Sequence, residues 1–248
     1  YADSKPPVTS VRFSGKNSVM REGKIFYNGK VEVTMSSNDE VSGVLSTYFS
    51  VNGNPYEKYL KPFTVDLDGK HTLSYYSTDK VGNNELPKNN TILIDNTAPV
   101  TTFNIDGLKN GNFVSPNAKI VLSSTDELSG VKTIYYRINK GNEYPYTAPI
   151  PASRLADGKT QISFYAVDFL GNKENPKTIG NIISNKPDDG GNKSEKVIFE
   201  FYIDYKPPSV NYKIEGDQVK GAYLFISPRT QILFNADDDK SGVENIYF

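Results

Sequence analysis

The sequence has no Cys, no Trp, 2 Met and a single His in 248 residues. Without Cys there is no disulfide framework, no thiolate zinc site and no Cys nucleophile, and one His leaves no multi-His metal centre. No excess of positive charge is present either: 28 Lys+Arg stand against 29 Asp+Glu, a formal −1. That balance argues against a binder that works by releasing counterions from a nucleic-acid backbone, which needs a basic face. No apolar run approaches the ~18 residues that would span a bilayer as a helix. Nor is there a Gly-x-Ser-x-Gly elbow or a phosphate-cradling glycine loop.

What is present is aromatic and turn-rich: 17 Tyr, 13 Phe, 19 Gly and 15 Pro. Tyr and Phe suit a pleated, half-buried surface, and the Gly, Pro, Asn and Asp clusters punctuate short alternating runs such as Val31-Glu32-Val33-Thr34-Met35. The pattern predicts an all-β chain.

Internal repeats define its organisation. Asp3-Ser-Lys-Pro-Pro-Val-Thr recurs as Asp95-Asn-Thr-Ala-Pro-Val-Thr and as Asp204-Tyr-Lys-Pro-Pro-Ser-Val. Within each unit follows Asp-x-x-Ser-Gly-Val, beginning at Asp39, Asp126 and Asp238, and then an aromatic strand through Tyr48-Phe49, Tyr135-Tyr136 and Tyr247-Phe248. The stretch from Asp68-Gly-Lys-His to Asp79-Lys-Val-Gly-Asn matches that from Asp157-Gly-Lys-Thr to Asp168-Phe-Leu-Gly-Asn. Residues 1–94 and 95–203 are thus two repeats, the second with a turn-rich insertion at about 180–196, and 204–248 is the first half of a third. Half a repeat implies a piece of a longer array, and the edge at Tyr247-Phe248, with no following strand beside it, is not expected to be stable alone.

A repeat of this length with six or seven short strands predicts tandem β-sandwiches of the immunoglobulin or fibronectin-III type. In the first repeat the strands are expected at 8–13, 30–36, 44–51, 63–66, 72–78 and 91–94, with an edge segment near 24–27. Leu73, Tyr75 and Ser77, like Ile162, Phe164 and Ala166, are expected to face inward.

In such a sandwich the start of the first strand and two of the loops share one pole. Asp95, Asp126 and Asp168 are therefore expected to gather in the second repeat, and Asp3, Asp39 and Asp79 in the first. Three carboxylates with backbone carbonyls and water could bind calcium at the domain junctions. The simpler alternative is that these Asp residues make turns, since Asp accepts from backbone N–H groups two residues on and Gly supplies positive φ. Turn-making is weighted above calcium. Tyr48 with Tyr76, and Tyr135 with Tyr165, are expected on the outer face of adjacent strands, where they could contact a protein or glycan ligand or simply form cross-strand pairs; pairing is preferred. His71 is expected on the surface of a strand, and no group converges on it to suggest catalysis. Asn89-Asn-Thr and Asn192-Lys-Ser match glycosylation acceptors, a frequent triplet.

The ordered motifs Asp-x-x-(Ala/Pro)-Pro, Asp-x-x-Ser-Gly-Val, Asp-Gly-Lys and Asp-x-x-Gly-Asn resemble bacterial immunoglobulin-like repeats, of the family typified by a leptospiral surface adhesin. The resemblance covers almost the whole chain. It implies an exported, cell-surface or periplasmic, non-enzymatic module acting as a stalk or in adhesion, with a protein or glycan ligand. It also implies calcium between domains, because related giant adhesins with similar junction motifs bind it there. Such repeats occur as well in accessory regions of secreted enzymes and in cell-envelope complexes, and fold alone does not choose among these.

Overall fold

The computed structural model describes residues 2–155, 160–180 and 197–248. Asp157, most of the insertion at about 180–196 and Asn192 lie outside them. The described chain is all-β, its strands gathered in several sheets and broken only by one 3-10 turn at Ala152–Arg154. It divides into two compact units: Tyr1–Thr101 with Ser124–Ile134 and Ala166–Asn175, and Thr102–Ser123 with Tyr135–Tyr165 and Pro176–Phe248.

The first repeat has strands β1 (Val8–Arg21), β2 (Lys24–Asn38), β3 (Val44–Val51), β4 (Glu57–Lys58), β5 (Phe63–Val65), β6 (Gly69–Asp79) and β7 (Lys88–Ile94). They connect in the order β1-β2-β7-β6-β3-β4, with β5 on β2. The predicted edge segment is the first part of β2, and the first strand runs on to Arg21, eight residues past its expected end at 13. The two-residue turn explains this: Glu22 and Gly23 have φ of 49° and 73°, and two successive positive φ values match the twist of a long hairpin. Beyond that hairpin β2 pairs parallel with β7 at Phe26 and Tyr27. The core lies between β2 and β5 on one side and β6 and β7 on the other: Val31, Val33, Met35 and Val65 against Leu73, Tyr75, Ile92 and Ile94. Ser77 is fully buried with Leu73 and Tyr75 on the inward side of β6, as period-two alternation requires.

The second repeat supplies β8 (Val100–Asp106), β9 (Lys109–Asn110), β10 (Phe113–Val114), β11 (Lys119–Thr125), β12 (Val131–Ile138), β13 (Glu143–Pro145), β14 (Ile150–Pro151), β15 (Gln161–Asp168), β16 (Lys177–Gly180), β17 (Val197–Phe199) and β18 (Tyr202–Ile203). Its sheets run β14-β11-β8, β13-β12-β15-β16-β17 and β18-β10-β9. Ile120, Leu122, Ile162, Phe164, Ala166 and Ile179 are buried.

The last segment forms β19 (Ser209–Glu215), β20 (Gln218–Lys220), β21 (Leu224–Ile226) and β22 (Gln231–Asp237), as the two pairs β19-β22 and β20-β21. As expected of an unpartnered edge, the aromatic segment through Tyr247-Phe248 forms no strand: 242–248 is irregular, and those two side chains are 89% and 104% exposed. In the first repeat the equivalent strand β3 is hydrogen-bonded to β6; among the described residues no such neighbour pairs with 242–248, and an isolated strand has no ladder.

Candidate functional site

Each Asp-x-x-Ser-Gly segment folds into a loop around its own carboxylate. Asp39 Oδ1 accepts from the backbone N–H of Val41, Ser42 and Gly43 at 3.2, 2.9 and 2.7 Å. Asp126 Oδ1 accepts from Leu128 and Gly130 at 3.3 and 2.6 Å. Gly130 has φ of 83°, which favours glycine, and a Cβ there would come within 2.8 Å of an Arg21 guanidinium nitrogen, displacing the end of that flexible side chain. The Asp-x-x-Gly-Asn turns behave alike. Asp168 Oδ1 takes the N–H groups of Leu170 and Asn172 at 2.9 and 2.7 Å, and its Oδ2 takes Asn172 Nδ2 at 2.7 Å. Asp79 does the same with Val81 and Asn83.

Both sets of three converge. Asp3, Asp39 and Asp79 form one group and Asp95, Asp126 and Asp168 another, each offering carboxylate oxygens that lie within 4.8 Å of one another. Asp79, Asp95 and Asp168 are fully buried. Donors already surround them: Asp95 accepts from Thr97 N and Oγ1 and, through Oδ2, from Ser129 N at 2.9 Å, while Ser129 Oγ donates to Asp168 Oδ2 at 3.1 Å. Turn-making is therefore present in full, and these six residues are also those that could hold a divalent cation. Burial pushes the Asp126 carboxyl above its ordinary value, and the charges of Asp95 and Asp168 add to this against the bonds from Gly130 and Leu128. For Asp79, burial also pushes upward, but the bonds from Asn83, Ser42 and Val81 outweigh it and hold the carboxyl low. Asp3 is held low first by the Lys5 N–H and then by Ser42.

Around the second group, within the first compact unit, lie contacts that sequence reasoning missed. Arg21, at the tip of the β1–β2 hairpin, donates to Ser129 O at 2.8 Å and places its guanidinium 3.7 Å from the Phe169 ring centroid. Asn28 Nδ2 donates to Asn172 Oδ1 at 2.6 Å and to Asp95 O at 3.3 Å. The Gly29 N–H donates to Asn96 Oδ1 at 2.6 Å, and the Asp95 N–H to Tyr27 O at 2.8 Å. Hairpin, linker and both turn loops thus share one polar network. A second missed feature is a buried glutamate that repeats. Glu85 accepts from Thr9 N at 3.0 Å and Ser77 N at 3.2 Å, and Glu174 accepts from Thr101 N at 2.9 Å and Ala166 N at 3.2 Å. Gly82-Asn-Asn-Glu and Gly171-Asn-Lys-Glu carried that signal two residues beyond the motif.

The tyrosines stand where alternation puts them. Tyr48 and Tyr76 are partners across β3 and β6, with ring centroids 5.3 Å apart and planes 23° from parallel; Tyr135 and Tyr165 stack at 5.5 Å and 30°. Tyr56 meets Tyr76 edge-on at 5.1 Å, and the Tyr165 hydroxyl donates to Glu143 at 2.7 Å. All four candidate tyrosines are half-buried. Burial first, and Glu143 second, push the Tyr165 hydroxyl up to about 12. The structure corrects the placement of His71: it is 5% exposed, not a surface residue. Its Nε2 is 2.7 Å from Leu67 O and its Nδ1 is 3.0 Å from Asn52 Nδ2, so the ring fits as donor to the carbonyl and acceptor from the amide, tying two loops together.

Among the described residues no helix is long and apolar enough to cross a membrane. No protein-family model matches the sequence, and no curated protein does. Among solved structures the chain is similar to fibronectin(III)-like modules of Clostridium thermocellum CbhA, at 12% identity over 68% of this chain and 91% of that one, TM-score 0.30. It is also similar to a 1.5-MDa bacterial ice-binding adhesin, at 15% identity over 84% and 70%, TM-score 0.37. A third likeness is to chicken CNTN1 FN1–FN3 domains, at 10% identity over 86% and 74%, TM-score 0.29. With identities of 15% or less and TM-scores of 0.37 or less, none of these likenesses assigns a family or a role to this chain.

Proposed function

We propose that this chain is a non-enzymatic spacer and interaction module of tandem immunoglobulin-like repeats, acting outside the cytoplasm as a stalk or adhesive segment with a protein or glycan ligand. The observation that carries the reading is the network where the first repeat meets the start of the second: Arg21, Asn28 and Gly29 engage Ser129, Phe169, Asn172, Asp95 and Asn96. A flexible linker needs no such bonds, whereas a spacer that holds its end at a distance does. The resemblance of the ordered motifs to bacterial surface repeats supports the location. The test is mechanical: Arg21→Ala combined with Asn28→Ala is expected to loosen the first junction in solution while leaving each sandwich folded. An unchanged junction would remove the reading.

Calcium at Asp95, Asp126 and Asp168, and at Asp3, Asp39 and Asp79, is the second reading. It is favoured by the convergence of three carboxylates whose oxygens lie within 4.8 Å of one another, since a divalent cation would relieve their mutual repulsion. Millimolar calcium should raise the melting temperature relative to EDTA, and Asp126→Asn should abolish the rise. Identical melts in calcium and EDTA would eliminate this reading.

A further inference from the structure

Three Asn-Gly pairs occur in the sequence: Asn28-Gly29, Asn52-Gly53 and Asn110-Gly111. Such a pair can cyclise, because a residue without a Cβ lets its backbone nitrogen approach the side-chain carbonyl of the preceding asparagine. The fold gives the three pairs different surroundings. At Asn28 the attacking group is engaged, since the Gly29 N–H donates to Asn96 Oδ1 at 2.6 Å. At Asn110 the amide nitrogen meets an acceptor, Ser241 O at 2.6 Å.

Asn52 differs on every count. Its Oδ1 accepts from the Thr72 N–H at 2.9 Å, a donor aimed at the oxygen whose charge grows when Cγ is attacked. Its Nδ2, the leaving nitrogen, is 3.0 Å from His71 Nδ1, and imidazole is the side chain suited to proton transfer there. The Gly53 N–H makes no hydrogen bond among the described residues, and both Asn52 and Gly53 are exposed to water.

Turn geometry alone does not call for this set. Asn52 and Gly53, with φ of 56° and 77°, reverse the chain after β3, and the Asn54 N–H closes the turn on Val51 O at 3.2 Å; Asn-Gly is a favoured pair for such a turn. The second repeat does the same with other residues. Asn139 has φ of 52°; its N–H donates to Gln161 O at 2.8 Å and its Oδ1 accepts from the Gln161 N–H at 2.9 Å, as Asn52 bonds to Thr72. There Lys140 follows the asparagine, and Thr160 stands where the first repeat has His71. The turn and its bonds to the next strand thus form without Gly53 and without an imidazole.

We infer that Asn52 is a site of self-catalysed deamidation. The Gly53 nitrogen bonds to Asn52 Cγ and gives its proton to solvent, while the Thr72 N–H holds the oxygen as Cγ becomes tetrahedral. Nδ2, which now has a lone pair, takes a proton from His71 Nδ1, itself protonated from water. It leaves as ammonia as the Cγ–Nδ2 bond breaks and the carbonyl re-forms. Water then adds to either carbonyl of the succinimide ring and opens it to aspartate or isoaspartate. Either product sets a carboxylate where His71 met an amide donor, and isoaspartate adds a backbone carbon to a two-residue turn. The inference is independent of the spacer and calcium readings.

The test holds the 248-residue chain in neutral buffer, folded and in denaturant, and follows conversion at the three asparagines by peptide mass spectrometry, with isoaspartate scored separately. In the folded chain Asn52 should convert at least ~10-fold faster than Asn28 or Asn110, should yield isoaspartate, and should lose its lead in denaturant. His71→Thr, which copies the second repeat, should slow Asn52 by ~10-fold or more and leave Asn110 unchanged. Should that variant not fold, the folded-against-denatured comparison of the parent decides alone. A folded rate at Asn52 no faster than at Asn110, a lead that persists in denaturant, aspartate without isoaspartate, or no slowing in a folded His71→Thr chain would overturn the proposal.

Discussion

Glu85 and Glu174 do the same task in two repeats: one carboxylate holds an N–H of the first strand and an N–H of the strand that precedes the Asp-x-x-Gly-Asn turn. Glu85 also pairs with Lys88 Nζ at 2.5 Å. Replacing it with Ala leaves two buried amides unpaired, at about 1–3 kcal/mol each, so Glu85→Ala should lower unfolding free energy by roughly 2–6 kcal/mol in denaturant titration. Glu85→Gln, which retains an acceptor oxygen, should lose clearly less. The acid response of the carboxylates has two signs. Asp79 and Glu85 lie below their ordinary values, so their stabilisation is complete at neutral pH and is lost as pH falls through the lowered folded values. Asp126 lies above its ordinary value, so its contribution is full in acid and is lost as pH rises through the raised one. Without calcium, Asp126→Asn should therefore melt at or above the wild type at pH 7, an advantage that disappears below pH ~4 as the aspartate takes its proton. A melt lowered at pH 7 and unchanged in acid would reverse that sign.

At the scale of elements, the turns carry the pattern. Gly130→Ala puts a Cβ at φ 83° and against Arg21; the loss expected in thermal melts is about 1–2 kcal/mol. The tyrosine ladders are weaker. A double-mutant cycle on Tyr48 and Tyr76 should give a coupling of about 0.2–1 kcal/mol, and a glycan array should not distinguish Tyr76→Ala from the parent. Much of this level was legible beforehand, because period-two alternation and fixed motif spacing place Leu73, Tyr75 and Ser77 inward and bring the Asp residues to one pole. What escaped had a common cause. The 14- and 15-residue strands of the first hairpin depend on two φ values at Glu22 and Gly23 that side-chain pattern does not express. The burial of His71 depends on loop carbonyl and amide partners at Leu67 and Asn52.

For the whole molecule, the decisive feature is how the end of one repeat is bonded to the start of the next. Arg21 and Asn28 reach loops more than a hundred residues away in sequence, and their partners are turn residues fixed by Asp126 and Asp168. Stiffness at this junction would come from polar groups already satisfied in the fold, and a cation among Asp95, Asp126 and Asp168 would add to it. The absence of native Cys allows labels to be placed at will. Lys61 and Lys132 are exposed and belong to the first compact unit, so Lys61→Cys with Lys132→Cys gives a spin-label pair that spans the junction. Pulsed dipolar spectroscopy should return one narrow distance distribution, broadened by Arg21→Ala with Asn28→Ala. A broad distribution in the parent, or one that those substitutions leave unchanged, would contradict a spacer built on this junction.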